Sequence, residues 1–285
     1  MLRGMVRRDA YQVDPADPRA PELEEWERLS PAERERVVAQ LPSEVDLGPP
    51  EGDLHRIPKQ RGLEALDAFF RRAGRRVYLS SELPVYYPGE RMFAPDLIAV
   101  RDVEPHERMR WVVAQEGKGL DFALEVTVEG SRKKDLEENV LRFAQLGIPE
   151  YFVFDRRNRR LHGFRAEDGS RVYKAIVPQQ GRWYSEVLAL ELGVEGERFR
   201  FYAGSAVLPE AAELVERANH LVDELHQRLN DIEERLLVEQ SLRIVAEEQK
   251  AQAEEERAQV EQQREHAERR VRELEAELER LRRGG

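Results

Sequence analysis

Two acidic residues stand where a chain usually places its core. In FAPDLIAV, residues 93–100, Asp96 separates Pro95 from a run of four apolar residues, and in DFALEVTV, residues 121–128, Glu125 lies between Leu124 and Val126. A carboxylate on a buried strand is costly unless it is paired or bound to a cation. Both stretches read as neighbouring strands, so the two side chains could converge on Mg2+, a hard ion that takes oxygen ligands and for which Mn2+ can substitute. Such an ion lowers the pKa of a bound water and stabilises charge on a phosphoryl oxygen, and phosphodiester hydrolysis fits that arrangement. A plainer reading stands beside it: an Asp after Pro closes a turn, and a strand Glu faces solvent.

The elements that must carry these acids show in the periodicity. RRVYLSSELPVYYPGERMFAPDLIAV, MRWVVAQ and DFALEVTV alternate apolar residues with turn residues, as strands do. Ahead of them, LEALDAFFRRAG sets Leu63, Leu66 and Phe70 on one helical face and ends on Gly74, a usual cap residue. After them, SRKKDLEENVLRFAQLGIPEYFVFD puts Leu136, Val140, Phe143 and Leu146 on one face. Gly147 stops that helix, Pro149 prevents its resumption, and EYFVFD reads as a strand. RLHGFRAEDGSRVYKAIVP predicts a hairpin around Asp168-Gly169. The domain is α/β, with helices against a sheet. Residues 1–53 read as an arm rich in Pro and charge, holding one short helix with a Ser30–Glu33 capping box.

From about residue 209, after Pro209 itself, no Pro or Gly occurs until Gly284, and the stretch predicts one long helix. Steps of seven from Ala218 meet Leu225, Ile232, Glu239, Ala246, Ala253, Val260, Ala267, Leu274 and Leu281. The companion seam runs through Val222, Leu229, Leu236, Arg243, Lys250, Arg257, Arg264, Val271 and Leu278. This 3-4 spacing is a coiled-coil heptad and predicts a homodimer through residues 209–283. Bases at four successive positions weaken the seam, although the narrow interface of a dimer lets their long stems reach water. The alternative is a solvated single helix held by Glu and Arg pairs at helical spacing.

Composition bounds the remaining classes. The 285 residues hold no Cys, which excludes disulfides and thiolate metal sites. The net charge is −11, but residues 210–285 carry 21 acids against 13 bases, so only −3 belongs to the rest and nucleic acid is not excluded as a partner. No secretory signal and no apolar stretch of membrane length is expected, and a cytoplasmic location follows as the expectation. The six His, at 55, 106, 162, 220, 226 and 266, show no mutual metal-ligand spacing, so zinc is not expected. Phosphate-binding Gly-rich loops and the serine-hydrolase elbow are absent. Trp111, Trp183, Tyr86 and Tyr87 read as core or sheet-face residues rather than base-stacking platforms.

The run FAPDLIAV, DFALEVTV, KKDLEENVLRFAQLGIPEYFVFD, followed by YSEVLALEL and RFRFYAG, resembles the bacterial Uma-type restriction endonucleases of the PD-(D/E)XK superfamily over roughly residues 55–204. The resemblance implies a restriction-endonuclease-like mixed sheet flanked by helices over residues 54–206, followed by a coiled-coil helix over residues 207–285. It implies Asp96 and Glu125 as metal-binding carboxylates, with Glu64 or Glu82 as a third. The superfamily's strand motif would place Lys two residues after the acid, where Thr127 stands. Many Uma-type members carry a Lys four residues after a helical Asp, where this chain has Asn139 after Asp135. Such a Lys would orient and activate the attacking water. Lys133 or Lys134 could supply that charge from the helix start, or could be solvated bases. Two functions follow: a Mg2+-dependent DNA endonuclease whose tail joins two catalytic domains, or a degenerate nuclease fold serving as a binding or assembly module.

Overall fold

The computed structural model describes residues 11–44, 52–128, 133–167 and 169–283. The first ten residues of the arm, Ser131 at the expected helix start, Asp168 of the expected hairpin turn and the side chain of Leu281 lie outside the described residues. The chain divides into two compact units, Met1–Leu214 and Val215–Gly285.

In chain order the first unit holds α1 (Leu23–Arg28), α2 (Pro31–Gln40), α3 (Asp53–Arg72), β1 (Val77–Ser80), β2 (Val85–Tyr86), β3 (Leu97–Arg101), β4 (Trp111–Val112), α4 (Val113–Glu116) and β5 (Phe122–Thr127). A π-helical turn (Lys134–Glu138) runs into α5 (Asn139–Leu146), and then come β6 (Glu150–Asp155), β7 (Arg160–Ala166), β8 (Tyr173–Ala175), β9 (Arg182–Ser185), β10 (Leu190–Glu195), β11 (Arg198–Ala203) and β12 (Ala206–Val207). The main sheet has the order β1-β3-β5-β6-β7-β8, and β12-β11-β10-β9 form a second sheet. Only the β5–β6 pair of the main sheet is parallel, as its helical crossover through α5 requires. The fold is therefore mixed α/β.

Alternation along the central strands builds two cores. Leu97, Ala99, Phe122, Leu124 and Val126 face Leu66 and Phe70 of α3 and the second sheet's Leu190, Leu192, Phe199 and Phe201. Ile98, Val100, Ala123, Tyr151 and Val153 face the opposite way, onto Phe143, with Leu136, Val140 and Leu146 of the expected helical face packed alongside. Gly62 explains how the second sheet comes so close to α3: a Cβ there would lie 2.7 Å from the Phe199 ring. Gly147 closes α5 with φ of 76°, the left-handed cap that glycine adopts at little cost.

The arm differs from its expected form. It contains two helices rather than one, and Ala20 and Leu41 are buried with Tyr86 and Val112 in a third apolar cluster. Ser30 stands at the N-cap of α2, where the Glu33 carboxylate accepts its main-chain N–H at 2.8 Å and its hydroxyl at 2.6 Å. The end of the first unit also differs. Val207 pairs with Tyr202, and Leu208 and Glu210 are buried, so residues expected in the helical tail belong to the globular packing. The long helix α6 spans Ala211–Arg283, 73 residues. Its Val222, Leu225, Leu229, Ile232, Leu236, Val260, Val271, Leu274 and Leu278 are all exposed. Pairs such as Arg228–Glu224, Arg243–Glu247 and Arg264–Glu268 bridge successive turns. Among the described residues no helix is long and apolar enough to cross a membrane.

Candidate active site

Strand register brings the two acids together. Leu97 of β3 pairs with Leu124 of β5 in an antiparallel ladder, so Asp96, one residue before β3, arrives beside Glu125. Their contacts are reciprocal: the Asp96 N–H donates to Glu125 Oε2 at 3.2 Å, and the Val126 N–H donates to Asp96 Oδ2 at 2.6 Å. The Glu125 side chain lies on the face of Ala123, the α5 side of the sheet, because strand neighbours alternate. Asp96 is 6% exposed and Glu125 8%. Burial drives the Glu125 carboxyl well above the usual carboxylate range. The charges of Asp96 and then Asp135 push the same way, Lys134 pulls it down, and a hydrogen bond with the Asp96 carboxyl raises it further.

A polar network lies behind Glu125. The Thr127 hydroxyl donates to Asp135 Oδ2 at 2.6 Å, Asn139 Nδ2 donates to Asp135 Oδ1 at 3.3 Å, and the Tyr151 hydroxyl donates to the Asp135 carbonyl at 2.9 Å. All four of these residues are buried. The π-helical turn turns Asp135 inward ahead of Asn139; π-bulges of this kind frequently mark functional sites. Burial, then the charges of Glu125 and Asp135, lift the Tyr151 hydroxyl well above its ordinary range, while its hydrogen bond with Asn139 opposes them.

The third side of the site comes from α3, which starts ten residues earlier than the periodicity at Leu63 suggests. One turn apart on its first half, His55 and Lys59 both reach Asp96: His55 Nε2 lies 3.2 Å from Asp96 Oδ2 and Lys59 Nζ 3.8 Å from Asp96 Oδ1. Lys59 also forms an ion pair with Glu82. Glu82 occupies the turn after β1 with φ of 54°, a left-handed backbone that a non-glycine residue adopts at a cost. Its N–H donates to the Pro95 carbonyl at 3.0 Å, and the neighbouring Ser81 hydroxyl donates to the Asp96 carbonyl at 2.7 Å. The turn at 81–82 thus clamps the Pro-Asp dipeptide.

The residues singled out in the sequence are distributed unevenly around this centre. Asp96, Glu125 and Asn139 meet within it, and Glu82 joins it through Lys59. Glu64 does not: five residues beyond Lys59 it faces another side of α3, accepts a hydrogen bond from Gln60 Nε2 at 3.0 Å and lines a surface hollow with Arg61 and Glu210. Lys133 and Lys134 are exposed at the helix start, and Lys134 acts on Glu125 through its charge. His55, Lys59, Asp135 and Tyr151 were missed as site residues. The signal for the first pair was their i,i+4 spacing, hidden by Pro58 between them.

Asp96 and Glu125 could offer hard oxygen donors to a cation, with Asp135 close enough to act on Glu125. A carboxyl raised by burial and by a neighbouring carboxylate is a group that a divalent cation returns to its charged form, so the donor set suits such an ion. Among the described residues no cluster of three or more His, Asp or Glu forms a ready metal cage.

These features define an α/β protein with a buried pair of carboxylates beside its central strands. Residues 21–207 match the Uma2 family, described as "putative restriction endonuclease", and the chain belongs to that family. The match begins well before residue 55, where the resemblance in the sequence starts, and takes in the two helices of the arm. A crystal structure of "a putative nuclease belonging to DUF820" from Anabaena variabilis is similar over 50% of this chain and 76% of that chain, at 14% identity and a TM-score of 0.39. No curated protein matches the chain.

Proposed function

We propose that this chain is a Mg2+-dependent DNA endonuclease, with Mn2+ able to substitute. The observation that carries the reading is the reciprocal contact of Asp96 and Glu125, two buried carboxylates of which Glu125 is held against ionisation by burial and then by its neighbour. Asp96 and Glu125 would hold the ion, which when bound lowers the pKa of a water and stabilises charge on a phosphoryl oxygen. The chain's own groups do the rest. Val126 N–H and His55 orient Asp96, the Asp96 N–H orients Glu125, and Lys134 favours the charged form of Glu125. In this reading the exposed seam of α6 pairs two chains in the cytoplasm, so that each cuts one strand of a duplex.

A second reading, a degenerate nuclease fold acting as a binding or assembly module, is favoured by Thr127 and Asn139. Neither carries a charge, and both are hydrogen-bonded to Asp135. The two readings part in one assay. The full chain is incubated with supercoiled plasmid in Mg2+ or Mn2+, with and without chelator, beside Asp96→Ala and Glu125→Ala. Metal-dependent nicking that disappears in both variants is the expected result. Cleavage that survives either substitution would remove the site assignment, and an intact plasmid under every metal would leave the binding module.

A further inference from the structure

A phosphodiester is an anion, and the site just described holds Asp96 and Glu125, with Asp135 close enough to act on Glu125. An anionic substrate approaches three carboxylates only if fixed positive charge is placed among them. The structure supplies one such charge that the proposed function has not used. Lys59 is 5% exposed, although lysine is almost never buried without a partner. Its ammonium lies between two carboxylates, Asp96 Oδ1 at 3.8 Å and Glu82, which arrive from different turns of the chain.

The surroundings hold that ammonium in place. Glu82 is presented to Lys59 from a left-handed backbone, a conformation that persists only when its surroundings over-determine it. The same turn anchors the Pro95 and Asp96 carbonyls through the Glu82 N–H and the Ser81 hydroxyl. Pro58, immediately before Lys59, is buried inside α3, so this part of the helix is fixed by packing as well. Strain, burial and two ion pairs converge on one cation beside a carboxylate of the acid pair. A lysine needed only for solubility would require none of these.

Resting on the nuclease reading, we propose that Lys59 is the charged group that contacts the scissile phosphate, and that Glu82 is its positioning residue. Lys59 keeps its positive charge throughout and gives up no proton. Its role is to offset the negative charge that develops on the phosphoryl oxygens. Because it lies beside Asp96, which would hold the cation, it would also repel that cation. A catalytic Lys59 therefore has a signature that a merely structural one lacks: removing it weakens cleavage and strengthens metal binding.

Lys59→Met and Lys59→Gln test this in the full chain, using whichever keeps the wild-type tryptophan fluorescence, with Lys59→Arg as the charge-retaining rescue. Mn2+ affinity is measured by calorimetry and cleavage on supercoiled plasmid. The expected result is cleavage reduced about 100- to 1000-fold, the range lost with a positioned electrostatic group. Mn2+ should bind roughly threefold tighter or better through relief of like charge. Lys59→Arg should recover part of the cleavage. Weaker Mn2+ binding together with weaker cleavage would reduce Lys59 to a structural counter-ion and overturn the inference. Undiminished cleavage in a wild type that cuts would overturn the role of Lys59 alone, and a wild type that leaves the plasmid intact would overturn the nuclease reading with it.

Discussion

Removing the two acids should have opposite effects on stability, and Asp96→Ala is the sharper case. The Asp96 carboxylate accepts the Val126 N–H at 2.6 Å and lies against His55 and Lys59. Truncation leaves the Val126 donor buried without an acceptor, which costs about 1–3 kcal/mol. Breaking a buried ion pair costs about 3–5 kcal/mol when one partner is stranded, but Lys59 keeps Glu82, so only a fraction applies here. Relief of the repulsion with Glu125 offsets part of the total. The balance is a loss of about 3 kcal/mol, and at about 2–4 °C per kcal/mol for a unit of this size the midpoint falls by about 6–12 °C. The assay is thermal unfolding in chelator at pH 7, followed by tryptophan fluorescence. Trp26, Trp111 and Trp183 all lie in the first unit, so unfolding of α6 does not enter the signal. An unchanged or higher midpoint would show that the contacts of Asp96 do not compensate its charge, and the reasoning would fail.

Glu125→Gln should instead stabilise the metal-free protein, in a pH-dependent way. Below the ordinary glutamate range both folded and unfolded chains are protonated and the substitution is close to neutral. As pH rises above about 4 the unfolded chain ionises first while folded Glu125 resists, so the wild type loses stability that the Gln variant keeps. A midpoint difference that stays constant from acid to neutral pH would contradict the raised carboxyl. Thr127→Val keeps the shape but removes the donor to the buried Asp135, and should cost about 1–3 kcal/mol in the same melt; no loss would mean that Asp135 is otherwise satisfied. A chain ending after Leu214 should fold and be monomeric by light scattering. One ending after Ala206, lacking the Val207 pairing, Leu208 and Glu210, should melt markedly lower. A dimer in the shorter chains would place self-association in the first unit.

Much of this site could be read from residue order because strands advertise their faces. The alternation in DLIAV and FALEV placed Asp96 and Glu125 on adjacent strands, and the heptad-like spacing from Leu136 to Leu146 placed the helix that packs over them. What could not be read follows local rules that single residues break. Pro58 and Gly62 interrupt the helical pattern of DLHRIPKQRGLEAL, so the periodicity showed a helix only from Leu63 and not the first half of α3, which carries His55 and Lys59. Packing against Phe199 pays for that glycine. The left-handed backbone of Glu82 depends on contacts with Pro95 and Lys59 that sequence spacing does not encode. Asp135 was legible only as the Asp four residues before Asn139, and the π-helical turn that buries it has no sequence signature. Glu64 was a candidate as an acid on the helix ahead of the sheet, and the 100° step between helical residues turns it away from the face of His55 and Lys59.

The central claim is that Asp96 and Glu125 hold a divalent cation. Crystals of the full chain grown in Mn2+ and measured for anomalous scattering at the manganese edge test it most directly. The account predicts an anomalous peak within bonding distance of both carboxylates, absent in crystals of Glu125→Gln. No peak there at saturating Mn2+, or a peak that persists unchanged in the variant, would contradict it.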